Sequence, residues 1–276
     1  MGVAGLKRSG MIDMEPNVTL VQQFPAHEAV PTSGPSPVLL VLHDAGGLSP
    51  GIRAAASRLA REGFYALAPN LYAHPFSVAA GAPAWMSHAL SAAGGGSRQL
   101  DERAEAGAAA ADLSRERARE IVARALGYAD GISDADPSRV GVIGFGMGGR
   151  IAFRAACQFP DRIGAVVAWS PTALAASYPT RPAETMPILE FESLRAPALL
   201  FYGEQDSATR PGERDAVERV LASAGKRHEI VVLPEAGAGF FVESSPDYRI
   251  GTTRAAWERS LAFLRESLPG RRPAGD

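Results

Sequence analysis

The sequence has a single cysteine and almost no excess charge of either sign. Cys157 is the one cysteine among 276 residues, which excludes an internal disulfide framework and a multi-cysteine metal site. The 28 Lys and Arg residues nearly balance the 30 Asp and Glu residues. The chain therefore lacks the basic field with which a protein attracts nucleic acid or an anionic membrane.

Long apolar runs are also absent. No uninterrupted run approaches the roughly 18 residues that cross a bilayer, and residues 1–14 hold no apolar stretch typical of a signal peptide. We therefore expect a cytoplasmic protein, monomeric or homodimeric, that binds a small-molecule metabolite and neither nucleic acid nor a membrane.

Apolar runs typical of strands alternate with helical patterns along most of the chain. Residues 38–42 (VLLVL) are apolar at every position, which predicts a strand buried on both faces. Trp257, Leu261 and Leu264 recur at helical spacing near the C-terminus. Further strands are predicted over residues 64–68, 140–143, 163–169, 198–202 and 230–233, with helices between them. Such alternation predicts an α/β fold with a mostly parallel sheet and helices on both faces.

One long segment departs from this alternation. Residues 77–111 are rich in Ala and Gly and include three consecutive glycines, Gly94 to Gly96. We interpret this segment as a lid over the carboxyl edge of the sheet, with a solvated surface excursion as the alternative. The rest of residues 1–276 is predicted to form one domain, with flexible ends at 1–14 and 270–276.

A glycine cluster, GFGMGG over residues 144–149, follows a predicted strand and precedes a predicted helix. A dinucleotide-binding turn is disfavoured, because its third glycine is wrongly spaced and the cluster lies mid-chain. The alternative is the nucleophile elbow, G-x-Nuc-x-G, in which a sharp strand-to-helix turn presents the nucleophile. In that frame Gly146 occupies the nucleophile position.

Four segments together resemble the dienelactone hydrolase family of the α/β-hydrolase fold. They are GFGMGG, where the family carries G-[YF]-C-[LM]-G-G, and the stretches VLHDAGG to APNLY, FYGEQD and LPEAGAGFF, in the family's order. The resemblance extends from about Pro37 to the C-terminus. It implies an α/β-hydrolase fold with a mostly parallel central sheet and a lid-like insertion.

The family's catalytic residues are only partly present. The resemblance places the nucleophilic cysteine at Gly146, the catalytic histidine at Ala238 and the acid at Asp206. Neither glycine nor alanine has a titratable atom, so the covalent route through an acyl-enzyme is closed. Cys157 lies about three helical turns further along and is predicted to be a buried core residue. Glycine also relieves the strain of the positive φ angle at an elbow.

Several groups could still do chemistry. The resemblance implies that the backbone N–H groups of Ala45 and Met147 form an oxyanion cradle. Asp44 takes the place of a family glutamate, and we expect it to face this cradle together with Asp206. Burial and mutual repulsion would then raise the pKa of at least one carboxyl. The alternatives are a turn role for Asp206 and a loop carboxylate near the first helix for Asp44.

Two histidines are further candidates for substrate binding. His43 ends the first core strand, where it is either a substrate contact or a structural histidine. His74 stands where the family carries an arginine that holds a substrate carboxylate, and Val242 replaces a second such arginine. A strongly anionic substrate is therefore disfavoured. His27, His88 and His228 are predicted to lie on the surface, and no histidine spacing is typical of a metal site.

Other positions flank the motifs and are predicted either to line the pocket or to pack in the core: Tyr72, Trp85, Phe145, Gly146, Ala238, Phe240 and Phe241. Ser170 ends a predicted core strand, but no elbow motif surrounds it, which argues against a nucleophile there.

Three hypotheses about function follow. The first is a non-covalent acid/base enzyme of the isomerase, cyclase or lyase type, acting on a small oxygenated or lactone-like metabolite without metal or cofactor. The second is a hydrolase in which a carboxylate activates water. The third is a pseudohydrolase that binds a small molecule without catalysis.

Overall fold

The computed structural model describes residues 20–21, 24–73, 113–175, 187–237, 239–243, 245 and 247–269. This part of the chain forms eight strands, five α-helices and one 3-10 helix. In chain order they are β1 (Leu20–Val21), β2 (Phe24–Ala29), β3 (Ser36–Leu42), α1 (Pro50–Arg61), β4 (Tyr65–Pro69), α2 (Arg115–Asp130), β5 (Ala135–Phe145), α3 (Met147–Gln158), β6 (Ile163–Trp169), the 3-10 helix (Pro187–Ser193), β7 (Ala198–Gly203), α4 (Glu213–Ser223), β8 (His228–Leu233) and α5 (Ile250–Ser267).

The eight strands form one sheet in the order β1-β2-β4-β3-β5-β6-β7-β8. Strands β3 to β8 pair in parallel, whereas β2 pairs antiparallel with β4 and with β1. The predicted mostly parallel α/β sheet is therefore confirmed. The antiparallel pair β1 and β2 was not predicted, because its sequence lacks a continuous apolar run.

Helices cover both faces of the sheet and divide the core in two. Leu40 and Leu42 of β3 pack in the cluster that includes residues of α2, α3 and α4. Leu39 and Val41 point to the opposite cluster, which includes residues of α1 and α5. Burial on both faces explains why the predicted strands are apolar at every position.

Local signals set the bounds of the elements. The Ser49 hydroxyl caps α1 by accepting from the Ile52 N–H, and Pro50 occupies the first helical turn. Gly63 follows this helix with a φ of +90°, a conformation that favours glycine at the end of a helix. Strand β5 is longer than predicted because residues 135 and 136 pair with Ser36 and Pro37 before a register shift.

The surface prediction for His27 was wrong, that for His228 holds only in part, and other predictions fall outside the described residues. His27 is 1% exposed and pairs with Ala68 of the buried strand β4. The side chain of His228 is only 12% exposed and lies 3.2 Å from Glu218. The segment 77–111, the ends 1–14 and 270–276, and His88 lie outside the described part. Within the described part, no helix has the length and apolar character needed to cross a membrane.

Candidate active site at the carboxyl edge of the sheet

A sharp turn at Gly146 joins β5 directly to α3. Gly146 has a φ of 52° and a ψ of −116°, and Met147 already begins the helix. Its N–H donates to the carbonyl of Trp169 at 2.8 Å, which continues the pairing of β5 with β6. The positive φ predicted for this position is confirmed, and the strand-turn-helix geometry is that of a nucleophile elbow.

The flanking glycines are required by close packing, whereas Gly146 is not. A β-carbon on Gly144 would overlap the carbonyl of Gly148, and one on Gly148 would overlap the carbonyl of Leu42. Among the described residues, a β-carbon on Gly146 would meet only the Asp44 β-carbon, at an ordinary 3.5 Å. Space for a side chain therefore exists at the nucleophile position, although the positive φ would strain any residue other than glycine.

Asp44 directly follows His43 at the end of β3 and lies beside this turn. Its Oδ1 accepts from the Gly46 N–H at 2.9 Å. Burial raises the pKa of the Asp44 carboxyl, and hydrogen bonds from the backbone N–H groups of Gly46 and of Asp44 itself oppose that rise. The first helix is capped by Ser49 instead, so Asp44 does not serve as its cap.

Two backbone N–H groups, those of Ala45 and Met147, are the candidates for the predicted oxyanion cradle. Met147 is the first residue of α3, where N–H groups have no partner within the helix, and Ala45 lies in the exposed loop after β3. Within the described ranges neither N–H donates a hydrogen bond to protein. The Tyr72 hydroxyl donates to the Ala45 carbonyl at 2.9 Å and so fixes this loop. Both N–H groups stay candidates for the predicted oxyanion cradle.

Asp206 lies in the turn after β7, and that turn satisfies its carboxylate. One oxygen accepts from the Ala208 N–H at 2.8 Å and the other from the Thr209 hydroxyl at 3.2 Å. These contacts favour the turn alternative over an acid/base role. No hydrogen bond among the described residues joins Asp206 to Asp44, and the pKa of Asp44 rises through burial and not through repulsion by Asp206.

His43 is a structural histidine. Its ring is fully buried, Nε2 accepts from the Leu71 N–H at 2.9 Å, and Nδ1 donates to the Asp44 carbonyl at 2.6 Å. Burial lowers the pKa of His43 to about 4, so the ring is neutral at pH 7. Of the two alternatives predicted for His43, these contacts favour the structural histidine over a substrate contact, because both ring nitrogens already bond to the backbone.

The predicted aromatic pocket walls lie in part in the core. Phe240 stacks on Trp169 with ring centroids 5.5 Å apart, and Phe145 lies 5.6 Å from the same ring. Both phenylalanines are buried, because alternation along β5 and the fold of the loop after β8 direct them toward α5. Tyr72 and Phe241 are only partly buried. His74, Trp85 and Ala238 lie outside the described residues.

Cys157 is buried in α3, where burial raises the pKa of its thiol to about 12, so it matches the predicted core cysteine. Within the described ranges, no cluster of three or more His, Cys, Asp or Glu residues could hold a metal ion. Three polar side chains lie behind the turn, at Ser170, Tyr202 and Glu213. Sequence reasoning considered Ser170 only as a nucleophile, and it missed Tyr202 and Glu213, although Tyr202 ends a predicted strand.

Comparison with known proteins identifies the family. The model of the dienelactone hydrolase family matches residues 24–268. The chain belongs to the dienelactone hydrolase family. The resemblance of the four sequence segments is thereby confirmed.

Relatives in the dienelactone hydrolase family span most of the chain. A protein from Methylorubrum extorquens, provisionally named carboxymethylenebutenolidase, is 30% identical over 244 residues, which cover 88% of this chain and 77% of the relative. A protein from Escherichia coli K12 with the same provisional name is 29% identical over 245 residues, which cover 88% of this chain and 82% of the relative.

Solved structures support the same family and fold. A provisionally named dienelactone hydrolase from Klebsiella pneumoniae superposes with a TM-score of 0.70 at 26% identity, covering 88% of this chain and 92% of that protein. A dienelactone hydrolase-like promiscuous phosphotriesterase from metagenomic libraries gives a TM-score of 0.63 at 20% identity, and the match covers 88% of this chain and 91% of that protein. The second comparison concerns the fold alone, and both agree with the α/β-hydrolase fold.

Proposed function

We propose that this member of the dienelactone hydrolase family catalyses non-covalent acid/base chemistry on a small oxygenated or lactone-like metabolite. Isomerisation, cyclisation and elimination are the reactions that such a site suits. The observation that carries the proposal is the Asp44 side chain beside a turn of nucleophile geometry that holds no side chain.

The covalent route of the family lacks its reacting atoms in this chain. Gly146 offers no nucleophile, and position 238, where the resemblance places the histidine base, is an alanine. Cys157 does not replace the nucleophile, because its thiol is buried within α3 and its pKa lies far above neutral pH. Chemistry at this edge must therefore proceed without an acyl-enzyme.

Asp44 is the group proposed to transfer the proton. Its β-carbon lies 3.5 Å from where a β-carbon on Gly146 would stand, which is the position where the family's nucleophile would begin. Burial raises its pKa above the ordinary value of an aspartate, which is the direction that suits proton transfer near neutral pH. A substrate seated on the turn would thus meet a carboxyl able to give or accept a proton.

The N–H groups of Ala45 and Met147 are proposed to stabilise negative charge on the substrate oxygen. They flank the turn, and Met147 lies at the N-terminus of α3, where the helix dipole favours an anion. An enolate or alkoxide formed by proton transfer at Asp44 would be stabilised there. Asp206 takes no part in this scheme beyond holding its turn.

The substrate class follows from the family and from two positions in this sequence. Relatives carry the provisional name carboxymethylenebutenolidase, which indicates a lactone. His74 and Val242 stand where the resemblance places the arginines that hold a substrate carboxylate. A lactone or related ring with little negative charge is therefore favoured over the anionic dienelactones themselves.

Direct hydrolysis by activated water is a second candidate. The space left by the absent side chain at Gly146 adjoins Asp44, so a water molecule could stand there with Asp44 as its base. Its product would differ from that of the first proposal, because the lactone ring would open with the uptake of water.

The experiment that tests both candidates follows a panel of lactones and enol lactones by NMR with the purified full chain. We expect products that are isomeric with the substrate or dehydrated, and a loss of at least about 100-fold in rate for Asp44→Asn. Asp161→Asn is the matched control, because that carboxylate is exposed and pairs with Arg195 on the surface. Ring-opened products would favour the second candidate, and binding without turnover would leave only the pseudohydrolase.

A further inference from the structure

Among the described residues, three buried polar atoms near the turn have no hydrogen-bond partner. They are the Ser170 hydroxyl oxygen, the Tyr202 phenol oxygen and the Oε2 of Glu213. The three residues are between 1% and 4% exposed. Buried polar atoms in folded proteins nearly always bond to protein or to an ordered molecule. Three such atoms in one region therefore indicate a bound molecule that supplies their missing hydrogen bonds.

The pairing of the strands places two of these residues in a row with Gly146. Phe145 pairs with Trp169, and Trp169 pairs with Phe201. The residues that follow in the three strands are Gly146, Ser170 and Tyr202. The Ser170 N–H donates to the Phe201 carbonyl at 2.8 Å, which extends the pairing one step toward the carboxyl edge.

Glu213 is bound to the segment that follows β6. Its Oε1 accepts from the Leu174 N–H at 2.7 Å, and the Thr172 N–H of the same segment donates to the Gly146 carbonyl at 3.3 Å. Burial, and after it the negative charge of Glu213, raises the pKa of the Tyr202 phenol. The segment thus links Glu213 to the turn.

Ser170 also has an unusual backbone conformation. Its φ of 42° makes it one of three residues other than glycine with a positive φ in the described part of the chain. Such a conformation persists only where the surroundings impose it, and it recurs at functional sites. Strain, burial and an unpartnered hydroxyl therefore coincide in one residue next to the elbow.

The three atoms complement a single hydroxyl oxygen. Ser170 and Tyr202 can each donate one hydrogen bond, and Glu213 Oε2 can accept one. We propose that Ser170, Tyr202 and Glu213 form a buried site for one hydroxyl group beside the elbow, which accepts from the two hydroxyls and donates to the carboxylate. Water and a ligand alcohol share this chemistry. The inference is independent of the proposed function, because it uses none of the atoms assigned to proton transfer.

A high-resolution crystal structure of the full chain tests the site directly. We expect an ordered oxygen within about 2.6–3.2 Å of all three atoms. The proposal is overturned if the three atoms bond directly to one another, or if no density lies between them.

Tyr202→Phe provides a second test that keeps the shape of the core. We expect the oxygen to lose occupancy or to move in the crystal structure of this variant, because one of its two donors is gone. Unchanged density would show that Tyr202 is not part of the site. Ser223→Ala is the control, since that exposed hydroxyl bonds only to the Val220 carbonyl of its own helix and its loss should leave the density as it is.

The source of the hydroxyl is decided with small alcohols. Crystals soaked in methanol or 1,2-propanediol, and solutions titrated with the same alcohols by saturation-transfer NMR, show whether the alcohol displaces the oxygen. An alcohol that displaces the oxygen, and whose affinity for the site is at least tenfold weaker in Tyr202→Phe, identifies a ligand alcohol. An oxygen that persists at the site in the presence of the alcohols identifies water. An alcohol bound only elsewhere, with no oxygen at the site, refutes the proposal.

Discussion

A β-carbon on Gly146 would lie 3.5 Å from the β-carbon of Asp44, and beyond its chain neighbours no other described residue would come within 4 Å of it. The elbow therefore keeps both its backbone geometry and its space, with a carboxyl group as the neighbour of the empty position. This relationship supports the proposed chemistry, and it leaves room to reintroduce the nucleophile of the family by mutation.

Restoring the family residues should create a hydrolase. We expect Gly146→Cys combined with Ala238→His to hydrolyse p-nitrophenyl acetate at least about 100-fold faster than the wild type, because the elbow has room for the thiol and its N–H donors remain. The positive φ should cost the variant about 1–3 kcal/mol of stability. Gly146→Ala with Ala238→His is the matched control, since it carries the same strain without the thiol. A folded but inert double variant would contradict an intact elbow.

Alanine at the three elbow glycines should affect stability very differently. Gly144→Ala and Gly148→Ala should each lower the free energy of unfolding by about 3 kcal/mol or more, because the added β-carbon overlaps backbone atoms. Gly146→Ala should cost only about 1–2 kcal/mol, from its positive φ alone. Urea denaturation measures all three, and equal losses at the three positions would contradict the packing described for the turn.

The raised pKa of Asp44 should appear in the pH dependence of stability. The folded protein holds this proton more tightly than the unfolded chain does, so stability falls as the pH rises from 3.8 through the folded pKa. Asp44→Asn keeps an oxygen that accepts from Gly46 but has no charge to bury. We expect it to be more stable than the wild type at pH 7, with the difference vanishing at acid pH. Urea denaturation from pH 3 to 8 checks this, and a less stable variant at pH 7 would oppose it.

His43 should titrate in the opposite sense. The folded protein favours the neutral ring, so its contribution to stability is complete above pH 6.5 and is lost as the pH falls toward about 4. At about 1.4 kcal/mol per pKa unit, the loss across this window is roughly 3 kcal/mol. NMR of the imidazole protons should show a neutral ring at pH 5.5, and His43→Gln should flatten the pH dependence of unfolding. A ring that is half protonated near pH 6.5 would refute the assignment.

Asp206 should contribute to stability more than to chemistry. Asp206→Ala leaves the Ala208 N–H and the Thr209 hydroxyl without their acceptor, and we expect a loss of about 1–3 kcal/mol in the free energy of unfolding. Asp206→Asn retains an acceptor and should keep the catalytic rate within tenfold of the wild type, whereas Asp44→Asn should not. The rate measurements of the two asparagine variants, made side by side, separate the roles. Equal losses would restore the paired-carboxylate interpretation.

Features with a local signal could be predicted from the sequence alone. Continuous apolar runs indicate buried parallel strands, and the spacing of Gly144, Gly146 and Gly148 indicates the elbow with its positive φ. The missing side chains at positions 146 and 238 are properties of the sequence itself. Periodicity and glycine spacing act over a few residues, which is why these predictions did not require the fold.

Tertiary structure alone decided which polar groups are satisfied and which aromatic rings are buried. His43 is neutral because its partner, the Leu71 N–H, comes from 28 residues further along the chain. Phe145 and Phe240 pack on Trp169 because three separate segments meet on the α5 side of the sheet. Burial and hydrogen-bond partners depend on contacts between distant segments, and such contacts leave no periodic mark in the sequence.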